Sequence, residues 1–510
     1  MIQFRIFLLF LFLVACTSLP SDPQRVTSQA LSPDPHSRIA QELKKRQLID
    51  PEKSSFRALA SGQDALLARL VSAAAADHSL DLQYYIWSND QSGLLVLKYV
   101  LDAADRGVRV RLLLDDLNQG QFQKFLAVFA THPQIEVRLA NPLPDRGGIW
   151  KNTFKYSQIN RRMHNKVFIA DNLVGIVGGR NIGDEYFGSS QELNYGDFDL
   201  WAAGPVVPEL SKEFDLYWNS EISFPIESLM PDFHPTPKDL TELRQNLAKK
   251  AEEAKNSMYQ VTVQKIIEGQ LFSKDNSQIY WGRAQVMTDP PEKLDQEKSK
   301  EEVTLRHELD FLVQELKNEL ILVSPYFVPE NRTFEFFMKM KKKGVKTVVI
   351  TNSLASSDVA TVFAGYKVSR KDLLEAGVDL YEVKAKATNQ IAKSERVGST
   401  GSRSGLHGKV FIFDRKKIFV GSMNLDPRSL YLNSEMGVVV DCPELASAFA
   451  QKMDEGLPQA AYHLQVREDR LVWQTLEKGR KTEYDKEPET TWWQRFKAGA
   501  MSIVVPKSQL

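Results

Sequence analysis

Two short stretches combine residue types that can do chemistry together. His164-Asn165-Lys166-Val167-Phe168-Ile169-Ala170-Asp171 and His407-Gly408-Lys409-Val410-Phe411-Ile412-Phe413-Asp414 share the pattern His-x-Lys-x4-Asp, offset by 243 residues. Gly178 and Gly421 keep that offset, as do Asn181 and Asn424, and nine of the eighteen paired positions from His to Asn are identical. A repeated core strand has reason to share apolar residues, but none to share an imidazole and an ammonium. The cluster suits a phosphodiester. Two lysines offset the charge of a five-coordinate transition state. Asparagine amides donate to its equatorial oxygens. One neutral histidine attacks phosphorus, and the other gives a proton to the leaving alcohol. In a second step the former acid becomes the base for an incoming hydroxyl. Lysine is a poor metal ligand and no third histidine lies near either motif, so neither a metal nor a cofactor is expected.

The flanking sequence supplies elements to position these groups. In a strand, His164 and Lys166 point the same way, as do His407 and Lys409, with the apolar residues that follow holding the strand in place. Asp171 and Asp414 come where the chain should turn, and Gly178-Gly179 and Gly421-Ser422 mark tight turns where a small residue admits a ligand. Upstream, Asp81–Ile86 faces Leu322–Phe327, and Arg106-Gly107-Val108 faces Lys343-Gly344-Val345. Leu94 to Ala104 has helical spacing, Gly107 stops it, and Val108–Leu114 is a buried strand ending at Asp115-Asp116. Strands alternating with helices imply an α/β fold. Two such halves, paired about a pseudo-twofold axis, would converge both motifs on one pocket.

The 510 residues suffice for two large domains or three ordinary ones. With 65 basic and 65 acidic residues the chain is formally neutral, which disfavours a nucleic-acid coater. Its two cysteines, Cys16 and Cys442, provide no disulfide framework. Residues 1–15 read as a signal peptide: Arg5 precedes the apolar run Ile6–Ala15, about 15 Å as a helix and too short for a hydrocarbon core of about 30 Å. Residues 16–55 read as a tether, 56–225 and 278–455 as the two halves, and 226–277 as a helical linker with Lys238–Lys255 as a surface helix. Residues 456–510 read as a membrane-proximal segment. Residues 290–300 are expected to be an exposed loop, and 384–404 a mobile loop at the site mouth. Trp492-Trp493-Gln494-Arg495-Phe496-Lys497 mixes aromatics with cations, as headgroup-layer segments do, although the tryptophans would also suit a cap on the core. Arg161 and Arg162 suit either an anionic headgroup or a solvated strand end. Asp115 and Asp116 suit either a pocket rim or a cap, and Tyr85 and Tyr326 either a cleft wall or the core.

The doubled motif with its trailing Gly-Gly-x-Asn and Gly-Ser-x-Asn resembles the phospholipase D superfamily over about residues 56–455. The resemblance implies a pseudo-twofold duplicated α/β/α/β/α sandwich with one active site at the interface of its halves, a phosphohistidine intermediate and no metal. It places His164, Lys166, Asn181, His407, Lys409 and Asn424 in the site and counts Asp171 and Asp414 with the catalytic residues, at second rank because in relatives the motif Asp often supports the turn. It implies His164 as nucleophile and His407 as acid, in an order that near symmetry leaves open. It also implies a later acid orienting each histidine. Asp197, with Asp199 as competitor, fits that role in the first half and Glu435 in the second. Asp81–Ile86, Ala103–Asp116, Arg162–Lys166, Ser357–Tyr366 and Pro506–Leu510 are most similar to bacterial cardiolipin synthases of the C type. That similarity implies transfer of a phosphatidyl group among phosphatidylglycerol, phosphatidylethanolamine or cardiolipin at a membrane surface, and no nucleic acid. Hydrolysis to phosphatidic acid remains the alternative, with a nuclease of the same superfamily behind it. Leu13-Val14-Ala15-Cys16 resembles a bacterial lipobox. It implies lipidation at Cys16 and, with Thr17 rather than Asp next, the periplasmic side of a Gram-negative outer membrane.

Overall fold

The structure is a computed structural model that describes residues 19–20, 23–117, 119–120, 122–143, 159–190, 192–255, 257, 259–260, 278–295, 304–385 and 403–504. The signal run, Cys16 and most of the loop expected over 384–404 lie outside the described residues.

The first half contributes β1 (Ser54–Leu59), β2 (Ser79–Tyr84), β3 (Arg109–Asp115), β4 (Ile135–Ala140), β5 (Val167–Ala170), β6 (Val174–Gly178), β7 (Leu193–Gly196), β8 (Asp199–Ala203) and β9 (Ser223–Pro225). The second contributes β10 (Ile279–Thr288), β11 (Glu319–Val323), β12 (Lys346–Asn352), β13 (Val378–Val383), β14 (Arg403–Leu406), β15 (Val410–Phe413), β16 (Lys417–Gly421), β17 (Met436–Asp441), β18 (Ala461–Arg467), β19 (Arg470–Glu477) and β20 (Arg480–Tyr484). Pairing runs β1-β8-β6-β5-β2-β3-β4-β9 in one half and β10-β17-β16-β15-β11-β12-β13-β18 in the other. Position by position, the order is the same. The duplication seen in the motifs therefore extends to the whole sheet.

The local causes repeat as well. Helix Gln91–Asp105 starts where the Asp90 carboxylate accepts from Gly93 N, buries Leu94, Leu95, Leu97, Val100 and Leu101, and gives way at Gly107, φ +95°. Helix Asn331–Lys343 stops at the matched Gly344, φ +76°. Both glycines take the left-handed conformation that ends a helix cheaply. Outer helices cover one face of each sheet. The inner faces share a core with helices Val206–Trp218 and Pro443–Ala460, where Val167, Val177 and Leu200 of one half join Ile321, Val410 and Val438 of the other. The layers are therefore α/β/α/β/α. β10 fastens the sheets together: Ile279–Gly282 pair with β1, and Arg283–Thr288 pair with β17.

Several boundaries differ from the sequence reading. The segment read as a tether is pinned to the first half from Arg25 onward. Arg138 Nη2, Arg111 Nη1 and Arg109 Nη2 donate to the carbonyls of Val26, Ser28 and Gln29, and Ala30 N donates to Asp215. Helix Arg38–Lys45 then buries Ile39 and Leu43. Backbone groups of the segment make these bonds, so its Pro- and Ser-rich composition gives no hint of them. Residues 290–295 are not an exposed loop: Pro291–Leu294 is a 3-10 turn with Pro291, Lys293 and Leu294 buried. Residues 456–484 belong to the body of the second half, as the end of helix Pro443–Ala460 and as strands β18–β20. The last element, helix Trp492–Val504, buries Ala498 in the core of the second half and leaves Trp492, Trp493 and Phe496 exposed. The expected surface helix runs Pro237–Ala254 and packs Leu243, Leu247 and Ala254 against the first half.

Candidate active site

His164 and Lys166 do not lie within a strand; they occupy the extended run that enters β5, as His407 and Lys409 do before β15. Each run is tied to the opposite half. His164 N donates to Ser434 O at 2.9 Å, and Ser434 N donates to Arg162 O at 3.0 Å. His407 N donates to Gly196 O at 2.8 Å, and β14 pairs in parallel with β7. Ser434 and Gly196 immediately precede the two acids, so the same contacts that join the halves deliver a carboxylate to each ring.

The delivery is crossed. His164 Nδ1 lies 2.7 Å from Glu435 Oε2, and His407 Nδ1 lies 2.6 Å from Asp197 Oδ2. By sequence each acid falls to the histidine of its own half; the structure exchanges them. Asp199, the competing candidate, is engaged elsewhere: it receives Arg69 Nη2 at 2.9 Å, with Arg180 Nη1 at 3.4 Å. The small residues after β6 and β16 make room for acids rather than for a ligand. A Cβ on Gly179 would sit 2.4 Å from Asp197 Oδ1, and at the matched position Ser422 Oγ donates to Glu435.

Lys166 Nζ donates to the His164 carbonyl at 2.5 Å, and Lys409 Nζ to the His407 carbonyl at 2.5 Å. Lys409 Nζ is also 3.2 Å from His407 Nε2. Asn181 Oδ1 accepts from Ile86 N, which leaves its amide N–H groups as donors. Asn424 is buried next in line, its own N–H given to Ser429 Oγ. Tyr85 lines the site edge-on to His164 at 5.0 Å, while Tyr186 and Tyr195 border His407 at 5.2 and 5.0 Å.

Asp171 and Asp414 do not reach this cluster, which corrects their reading as catalytic. Asp171 accepts from the backbone N–H groups of Asp77, His78 and Ser79, and Asp414 from those of Lys317, Asn318 and Glu319. Each sits at positive φ (+52°) in the turn after its motif strand, and clamps that turn to the start of β2 or β11. Three N–H donors fix a carboxylate as a turn support.

The electrostatics are unequal. Burial, then Lys166, Lys409 and His407, hold His164 well below its ordinary 6.5. Burial and Lys409 also lower His407, but Asp197 opposes them. Burial alone would raise the Asp197 carboxyl; His407, Lys409 and Arg180 outweigh it and hold Asp197 below the usual carboxylate range. Glu435 is raised, by burial foremost. The stronger anion therefore backs His407. Burial brings Lys166 down to about 7 and Lys409 to about 8, so both respond to the arrival of an anion.

Other residues hold the site from behind. Buried Asp289 accepts from Glu435 N at 3.0 Å and from Lys293 Nζ at 2.7 Å, and Lys293 also reaches Ser429 O. Lys293 lies in the run 290–300 that reads as an exposed loop, and Asp289 just before it. Asp115 accepts from Met163 N at 2.9 Å and pairs with buried Arg162, two residues before His164. Asp116 accepts from Leu143 N at 2.7 Å. Arg162 is thus neither at a headgroup nor in solvent, while Arg161 gives Nη1 to Lys293 O. Cys442 is a buried thiol.

Comparison with known proteins places this geometry in context. A family model described as "Cardiolipin synthase, PLD-like domain" matches residues 67–218 and 312–457. Cardiolipin synthase C of Escherichia coli (strain K12) is 36% identical over 463 residues, covering 89% of this chain and 96% of that protein. A protein of Helicobacter pylori (strain ATCC 700392 / 26695) is 31% identical over 519 residues, covering 99% and 100%. Among solved structures, phosphatidylserine synthase of Haemophilus influenzae Rd KW20 shares the fold, with a TM-score of 0.53 and 13% identity over 82% of this chain and 91% of that one.

Proposed function

The chain belongs to the family of cardiolipin synthase PLD-like domains, and from that premise we propose that it is a phosphatidyltransferase that makes cardiolipin, or a related phospholipid, through a phosphohistidine. The observation that carries the reading is the pair of crossed imidazole–carboxylate couples, 2.7 and 2.6 Å long, buried with two lysines where the halves meet. His164, kept neutral and engaged at Nδ1, attacks phosphorus through Nε2. A P–N bond forms, the P–O bond to the headgroup breaks, and His407 gives its proton to the departing oxygen. Asp197 stabilises the imidazolium that this step requires. An incoming hydroxyl then yields its proton to His407 as its oxygen bonds phosphorus and the P–N bond breaks. Lys166, Lys409 and the Asn181 and Asn424 amides offset charge on the non-bridging oxygens.

The substrates in this reading are phosphatidylglycerol, phosphatidylethanolamine or cardiolipin, at a membrane surface. Support for the surface comes from helix Trp492–Val504, where Trp492, Trp493 and Phe496 are 65%, 53% and 53% exposed and stack on one another, with Lys497 over Trp493. That exposure is incompatible with a core cap. Among the described residues no helix is long and apolar enough to cross a membrane. In this reading the chain is attached through Cys16, lipidated after removal of residues 1–15, on the periplasmic face of the outer membrane, and the lipobox-like Leu13-Val14-Ala15-Cys16 supports it. Purified protein on vesicles of phosphatidylglycerol and phosphatidylethanolamine, followed by lipid mass spectrometry, tests the function. Cardiolipin is the expected product, phosphatidic acid would turn the reading to hydrolysis, and neither would overturn it. Radiolabelled palmitate incorporated by wild type and lost in Cys16→Ser tests the anchor.

A further inference from the structure

The site just described is built to attract an anion, yet one carboxylate stands beside it that phosphoryl transfer does not use. Asp358 is exposed. Its Oδ2 accepts from the Tyr195 hydroxyl at 2.8 Å and from the Tyr326 hydroxyl at 2.8 Å. Tyr195 belongs to β7 of the first half, and Tyr326 follows β11 of the second, so the carboxylate spans the junction. Tyr195 is itself 5.0 Å from the His407 ring and 5.1 Å from Tyr186. Tyr326 O accepts from Leu425 N, next to Asn424. Asp358 therefore sits one tyrosine beyond the histidine that protonates the leaving oxygen, near enough to act on Lys409. Its second oxygen accepts no hydrogen bond among the described residues.

Asp197 and Glu435 are sequestered against imidazoles; Asp358 faces solvent and repels an approaching phosphodiester. Such a charge is useful where the substrate presents a hydrogen-bond donor. The headgroup leaves, and the second alcohol enters, on the His407 side. Tyr195 links the surroundings of that ring to Asp358. Resting on the phosphatidyltransfer reading, we propose that Asp358, aimed by Tyr195 and Tyr326, is a specificity-determining residue that binds the polar end, hydroxyl or ammonium, of the headgroup alcohol handled by His407.

The test compares kcat/KM of the full-length protein on phosphatidylglycerol, phosphatidylethanolamine and phosphatidylmethanol, whose esterified headgroup has no donor. The readout is the ratio of each natural lipid to phosphatidylmethanol, carried mainly by KM. If the group recognised is an ammonium, Asp358→Asn and Asp358→Ala both lower the phosphatidylethanolamine ratio by about tenfold. If it is a hydroxyl, Asp358→Ala lowers the phosphatidylglycerol ratio by about tenfold, and Asp358→Asn, which keeps an acceptor oxygen, lowers it by about threefold or less. Tyr195→Phe lowers the affected ratio in the same direction. Equal loss on all three lipids would make Asp358 a mere tie between tyrosines and overturn the inference, as would unchanged ratios. Failure of the wild type to turn over any phospholipid would remove the transfer reading and this one together, before any variant is made.

Discussion

At the scale of single residues, the two histidines are alike in sequence and unlike in setting. An activated donor with a nitrophenol headgroup needs no acid, so it separates their roles. His407→Ala should release a burst of nitrophenol and retain a phosphatidyl adduct on the His164 peptide, detectable by mass spectrometry, whereas His164→Ala should give neither. An adduct on His407 would reverse the order. Glu435→Gln should lower kcat by about 100-fold or more, because it disturbs the tautomer of His164. The lysines predict a pH dependence of oxyanion binding. They must be charged to bind, and their ordinary charge is lost as pH rises through about 7 for Lys166 and about 8 for Lys409. Calorimetric affinity for tungstate should therefore weaken by up to about tenfold per pH unit per lysine above that range, and be flat below it. The types and offsets of these residues were legible in sequence, because a repeat preserves chemistry as well as packing. The owner of each carboxylate was not, since proximity along the chain says nothing about which ring an acid meets after the halves pair.

At the scale of elements, the motif works because its strand is anchored at both ends. Behind it, Asp171 and Asp414 each gather three backbone N–H groups; ahead of it, Asp115 holds Met163. Asp171→Ala should cost about 1–3 kcal/mol in urea unfolding, since it strands three backbone donors, of which that of Ser79 is buried, while the folded fraction keeps its turnover per site. Loss of turnover without loss of stability would return Asp171 to the chemistry. Strands, helix stops and the α/β class could be read from periodicity and from Gly107 and Gly344. The strap from Arg25 to Lys45 could not, because backbone carbonyls received by Arg109, Arg111 and Arg138 leave no trace in residue type. Asp289 and Lys293 were concealed for the opposite reason: a buried ion pair looks, in one dimension, like surface charge.

At the scale of the whole molecule, two sheets share β10 and one inner core. Thermal unfolding should therefore be a single transition, with calorimetric and van't Hoff enthalpies in agreement; two resolved peaks would contradict a shared core. The exchange of carboxylates between halves carries a further consequence, for descent. Each copy of the ancestral unit steadies its sibling's reactive ring, so neither is a spare. A lesion in one copy disarms both, and the pair can be transmitted only as a couple. Divergence is left to the walls around the reacting centre, where Tyr85 on one side and Tyr186 with Tyr195 on the other have already parted company.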